Sequence, residues 1–129
     1  SELYKDIFLF HWKEEATHAI MDELEWPRED RKLTPEARDQ AIDELIGLIN
    51  DVDGILKVQS HSDVEYFTTC CNRQFADDEI DRLRTGVLKA YRWQYIFSGT
   101  GHPRFRNLLE QLTSDEQRQR IVTALSAID

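Results

Sequence analysis

The chain has little of what builds small secreted or membrane proteins. Only two cysteines occur in 129 residues, and they are neighbours, Cys70 and Cys71. Adjacent cysteines rarely bridge each other, because the small ring strains the disulfide, and no second pair exists to staple a secreted fold. The expectation is a reducing, cytoplasmic setting, with the pair of thiols read as a small buried apolar side chain plus a neighbour. No apolar run approaches the roughly 20 residues of a membrane span, and no signal-peptide pattern is present. A membrane partner is therefore not expected. Positive charge is also in deficit: 16 Lys and Arg against 25 Asp and Glu, a formal net charge of −9. That average field repels a phosphate backbone, so nucleic acid is not an expected partner. The chain begins at Ser1 without an initiator Met, which raises the expectation of a processed or truncated piece of a longer protein.

Helix breakers are scarce too, with three prolines and five glycines. What remains is globular in balance, 40% hydrophobic and 32% charged, and of a length that suits one domain over residues 1–129. Strand-type alternation is absent, while apolar spacings of three and four dominate. The reading is all-α, a bundle of about five helices. The first helix is expected over Leu3–Trp26, because Pro27 pushes the residue before it out of helical geometry; Arg28–Lys32 would form a loop. Thr34-Pro35-Glu36 is a helix start: a capping hydroxyl, proline at the first helical position, then an acid near the positive helix end. A long helix follows, with the seam Ile42, Leu45, Ile49, Val52, Leu56, Gln59, Asp63, Tyr66, Cys70, and a kink near Gly54 is open, since glycine inside a helix costs about 1 kcal/mol. Asp77 or Asp78 should cap the next helix, which carries Ile80, Leu83, Val87 and Tyr91 and ends near Phe97. Pro103 opens a short helix to Leu112. Thr113 and Ser114 with Glu116 and Gln117 offer overlapping capping boxes for the last one.

One constellation carries chemistry. His11, Glu15, His18 and Asp22 are spaced four, three and four apart, so on a helix they fall within an arc of roughly 60°. Tyr4, Ile7, Phe8 and Trp26 lie in or beside that arc, which predicts that the stripe points inward or toward a cavity. Two imidazoles and two carboxylates buried together need compensation. A metal ion supplies it, and imidazole nitrogen with carboxylate oxygen suits iron, manganese or zinc. A buried polar network and an exposed ladder of ion pairs are the two other readings of the same spacing. Gln59 and Asp63 interrupt the apolar seam of the long helix; either they face the first-helix stripe as supporting groups, or the seam changes phase after Gly54 and they face water. His61, Glu65 and His102 read as surface residues. The run from Lys89 to Phe97 alternates basic and aromatic residues, which reads as helix packing, with Tyr91 and Gln94 as candidates to line a pocket near the stripe.

The segment from Phe8 to Ala19, Phe-Leu-Phe-His-Trp-Lys-Glu-Glu-Ala-Thr-His-Ala, resembles the metal-binding helix of ferritin-like di-metal carboxylate proteins. His11, four before Glu15, is similar to the longer motif of their aminobenzoate N-oxygenase branch. The resemblance implies a ferritin-like bundle, iron or manganese as cofactor, Glu15 and His18 as ligands with Glu15 bridging two ions, and His11 as a further ligand. It also implies oxygen-activating oxidoreductase chemistry. The family takes a second Glu-x-x-His from another helix, and this chain contains none. The missing ligands would then lie outside this chain, or the site is vestigial, or fewer protein ligands hold the metal. The competing expectation is a non-catalytic helical module that pairs with itself, as a homodimer, or with a partner, through the aromatic-rich helix and the long seam. A single-metal hydrolase with Glu14 or Asp22 as base is disfavoured, because His-Glu-x-x-His is absent.

Overall fold

With so few breakers, the helices run long. The computed structural model describes residues 1–128, and no strand occurs among the described residues. Helix α1 spans Glu2–Asp30 and α2 spans Pro35–Cys70. Helix α3 spans Asp77–Arg92 and continues through a π-helical turn, Trp93–Phe97, into one more α turn, Ser98–Thr100. Helices α4, Pro103–Leu112, and α5, Asp115–Ser126, complete an all-α architecture. The chain divides into two compact units, Ser1–Arg38 and Asp39–Asp129.

In the first unit, Ser1 caps α1: its Oγ accepts the Tyr4 N–H at 3.3 Å. The helix does not stop at Trp26 as expected. Pro27 sits inside it, and the turn begins only after Asp30. A proline withholds one N–H from the helical ladder, but here the neighbouring side chains tie the segment together. Arg28 pairs with Glu25 at 2.5 Å and Glu29 at 3.0 Å, and Lys32 reaches Glu29 at 2.6 Å. Arg38 grips the Asp30 carboxylate through two hydrogen bonds, 2.6 and 3.0 Å. Helix α2 starts as its sequence predicts: Thr34 Oγ1 accepts the Ala37 N–H at 3.2 Å, and Pro35 is the first helical residue.

The second unit holds the core. Ile49 and Leu56 of α2, Ile96 of the π turn and Ile128 form one buried cluster, with Leu45, Val52, Leu88 and Leu125 packed around it. Helix α2 runs unbroken through Gly54 and keeps one buried face: Ile42, Ile49, Asp53, Leu56, Ser60 and Val64 fall within an arc of roughly 80°. Up to Leu56 the predicted seam is on or near the core side; beyond it Ser60 and Val64 are buried, where the seam predicted Gln59 and Asp63. The π turn does shift the phase of the next rod. The position in phase with Leu88 is seven residues on, Tyr95, yet Tyr95 is exposed and Ile96 is buried. The Ser98 N–H bonds back five residues to the Trp93 carbonyl, the hallmark of one extra residue in the helix.

The helix starts are mostly as read. Ser114 and Gln117 form a reciprocal capping box, 3.2 and 3.1 Å. Helix α3 departs from expectation: Ala76, not Asp77 or Asp78, occupies the cap position, and the Glu79 carboxylate reaches back to accept the Ala76 N–H at 3.0 Å. At Gly101 a Cβ would meet the Phe97 carbonyl oxygen at 2.8 Å, so the turn between the π segment and α4 needs glycine. Helix α5 is tied to α2 by Arg120, which pairs with Asp39 at 2.6 Å and with Asp43, and by Gln117, which donates to Asp39 at 3.2 Å.

Candidate functional site

Helix α1 carries the four candidate ligands, and it brings three of them together. Glu15 stands between the two rings: its Oε1 is 3.9 Å from His11 Nδ1 and its Oε2 is 3.7 Å from His18 Nδ1. One carboxylate thus bridges two imidazoles along two turns of a single helix, as the four-three spacing requires. Asp22 continues the same face, one turn beyond His18.

Within the unit Ser1–Arg38 nothing covers the stripe. The His11, Glu15 and His18 side chains are 64%, 56% and 55% exposed, and Asp22 is exposed as well. The expectation took the apolar residues bordering the stripe as the mark of a buried face. They do not mark any one face: Leu9, Ile20 and Leu24 lie roughly opposite the stripe. No residue of α1 is buried, and ten large apolar side chains on it are exposed. Within its own unit, α1 displays an exposed array of acid and imidazole.

A second polar cluster lies in the other unit. Tyr91 donates its hydroxyl to Asp63 Oδ2 at 2.5 Å, and Gln59 donates to Asp63 Oδ1 at 2.9 Å. Hydrogen bonds from Tyr91 and then Gln59 hold the Asp63 carboxyl below its ordinary range, and the same bond pushes the Tyr91 phenol up. Val52, Ile55, Leu56 and Tyr95 join these three residues around an open cleft of about 610 Å³. Gln59 is exposed while Asp63 is half-buried, an outcome between the two sequence readings. Tyr91 lines this cleft; Gln94 is exposed and does not. His61, Glu65 and His102 are exposed as expected, and His102 has a task of its own: its Nδ1 accepts the Arg104 N–H at the start of α4.

The sequence reading missed the most deeply buried charge. Asp53 is 3% exposed and takes two hydrogen bonds from Arg92, 2.6 and 3.2 Å, and one contact of 2.8 Å from Lys57. Burial alone would raise its carboxyl; Arg92 and Lys57 outweigh that and hold it below the ordinary value. The available signal was Arg92, a basic residue set between Tyr91 and Trp93 in the aromatic run. The thiols also differ from expectation: Cys70 is exposed and Cys71 half-buried, both free, because α2 ends there and its last turn has left the core.

The di-metal pair implied by the resemblance can be tested on these donors. Two ions need carboxylates and imidazoles from several helices. Here one helix supplies one Glu-x-x-His, and among the described residues no three His, Cys, Asp or Glu side chains converge on a common point. Within either unit these donors do not make up a di-metal centre. No family model, curated protein or solved structure matches this chain. Among the described residues no helix is long and apolar enough to cross a membrane.

Proposed function

We propose that this chain is a metal-binding helical protein whose site is completed by assembly. Helix α1 docks against further helices, and docking buries His11, Glu15, His18 and Asp22 around iron, manganese or zinc. The observation that supports this reading is the state of α1 within the unit Ser1–Arg38: a 29-residue helix with no buried residue and ten large apolar side chains exposed. Large apolar groups gathered in water mark an interaction surface, and a helix gains most of its stability from packing rather than propensity. The acid held between two imidazoles gives the docked helix a donor set suited to those metals. Oxygen-activating chemistry of the ferritin-like kind belongs to this proposal only with the ligands that the single chain lacks.

Elemental analysis of the purified full chain, with circular dichroism in chelator, tests it. The expected result is bound metal that is lost in Glu15→Ala and in His18→Ala. A second reading, a metal-free pairing module, rests on the apolar groups that surround α1 on the sides away from the donors. Metal at trace levels, with fold and assembly unchanged by chelator, would leave that second reading standing alone.

A further inference from the structure

We infer that the cleft between α2 and the rod of α3 with its π turn binds a small organic ammonium ion, with Asp63 as the counter-charge and Tyr91 and Tyr95 as the aromatic wall. The site is built wholly from the unit Asp39–Asp129 and does not depend on the function proposed for α1.

Two independent observations carry it. The first is an acid set without a cation. Val52, Leu56, Gln59 and Asp63 are spaced four, three and four apart, so they line the cleft from one face of α2. The cleft of about 610 Å³ falls inside the roughly 300–1,000 Å³ range of small-molecule sites. Asp63 is half-buried there, and its two oxygens accept one hydrogen bond each, from the Tyr91 hydroxyl and the Gln59 amide. Those bonds hold the carboxyl below its ordinary range, so it is ionised at neutral pH. Both donors are neutral, and none of the described residues lining the cleft is Lys or Arg. Asp53 is the contrast within the same unit, since Arg92 and Lys57 compensate its charge. An ionised carboxylate offers about four acceptor positions, so about two on Asp63 stay open beside an apolar wall. The complement of that arrangement is a cation with N–H donors and an apolar body. An anion would meet Asp63 as a like charge.

The second observation is the π turn. A regular helix would carry Tyr95 in the phase of Leu88, toward the core. The extra residue in Trp93–Phe97 gives the core position to Ile96 and leaves Tyr95 at the cleft. Its ring lies 6.1 Å from that of Tyr91, edge-on at 76°. π turns interrupt the regular ladder and are frequent at functional sites. Ammonium groups are attracted to the faces of such rings. The same irregularity that repacks the core thus gathers two phenols beside an uncompensated acid.

The test is calorimetric titration of the full chain with phenethylammonium, with its neutral analogue phenethyl alcohol and with the anion hydrocinnamate, while NMR follows the tyrosine rings. Phenethylammonium should bind about tenfold or more tighter than the alcohol, shift the Tyr91 and Tyr95 ring signals, and leave hydrocinnamate without measurable binding. Asp63→Asn should abolish the preference for the cation. Tyr95→Leu should weaken phenethylammonium severalfold, and Tyr95→Phe should keep its affinity; unchanged urea midpoints show that the variants fold. Equal affinity for ammonium and alcohol, or a preference that survives in Asp63→Asn, would overturn Asp63 as the counter-charge. Shifts that spare Tyr91 and Tyr95, or no binding at millimolar phenethylammonium, would overturn the cleft as the site. Tighter binding of Nα-acetyl-lysinamide than of phenethylammonium would overturn the small-molecule assignment in favour of a protein lysine.

Discussion

Replacing Arg92 by Ala should be among the most damaging single changes in the second unit, and its cost should depend on pH in a defined direction. Arg92 supplies two of the bonds that satisfy the Asp53 carboxylate, which is 3% exposed. Removing one partner of a buried pair typically costs about 3–5 kcal/mol, because the remaining charge is stranded. Lys57 still reaches Asp53 at 2.8 Å but is itself more than half exposed, so a loss of about 2–3 kcal/mol is expected, or roughly 10 °C in melting temperature. The sign of the pH effect follows from Asp53. In the native protein its folded pKa lies below the unfolded value, so its stabilisation is present above about pH 4 and fades as pH falls through the lowered folded value. In the variant, burial dominates and the folded pKa rises above the unfolded one, so the penalty is full at neutral pH and is relieved as pH falls through that raised value. The difference between the two proteins should therefore shrink from pH 7 toward about pH 4. Urea unfolding followed by circular dichroism at both pH values measures it. A difference below about 0.5 kcal/mol, or one that grows on acidification, would refute the assignment of Arg92 as the group that keeps a buried Asp53 ionised.

Three smaller effects follow from local geometry. Tyr91→Phe removes the 2.5 Å bond to Asp63 and should cost about 1 kcal/mol; NMR titration should find the Asp63 carboxyl moved upward, and an unmoved Asp63 would show that Gln59 alone sets it. Ser114→Ala breaks the capping box of α5 and should lose about 1 kcal/mol in urea unfolding; no loss would mean that the Arg118 contacts to the Thr113 carbonyl already hold that turn. Gly101→Ala drives a methyl toward the Phe97 carbonyl at 2.8 Å and should destabilise by about 1–3 kcal/mol, whereas an equally stable variant would imply that the turn shifts freely.

Capping chemistry and core rhythm were legible because they depend on neighbours a few residues away. Thr34-Pro35, Pro103 and the Ser114–Gln117 box all start helices where the residue types place them. The α2 seam was legible from Ile42 to Leu56 and then lost phase, since a 3.5-residue rhythm drifts about 20° per heptad off the face of a straight helix. The π turn was hidden for a different reason: only tertiary packing decides that Ile96, not Tyr95, faces the core. Pro27 misled because its backbone cost was read without the Arg28, Lys32 and Arg38 pairs that secure the segment. The spacing of His11, Glu15 and His18 sets Glu15 within 3.9 and 3.7 Å of the two rings, but spacing alone has no bearing on which face of α1 is covered. The Asp53–Arg92 pair joins residues 39 apart in sequence, beyond any periodicity argument.

Hydrogen exchange along α1, measured over a dilution series of the full chain, tests the central claim most directly. A helix with no buried side chain opens easily when alone and exchanges fast. Peptides from Glu2–Asp30 should exchange slowly at high concentration and rapidly on dilution, while those around Ile49 and Val64 stay protected throughout. Protection of α1 that is unchanged by dilution, whether strong or absent at every concentration, would contradict the account of α1 as a helix that docks by assembly.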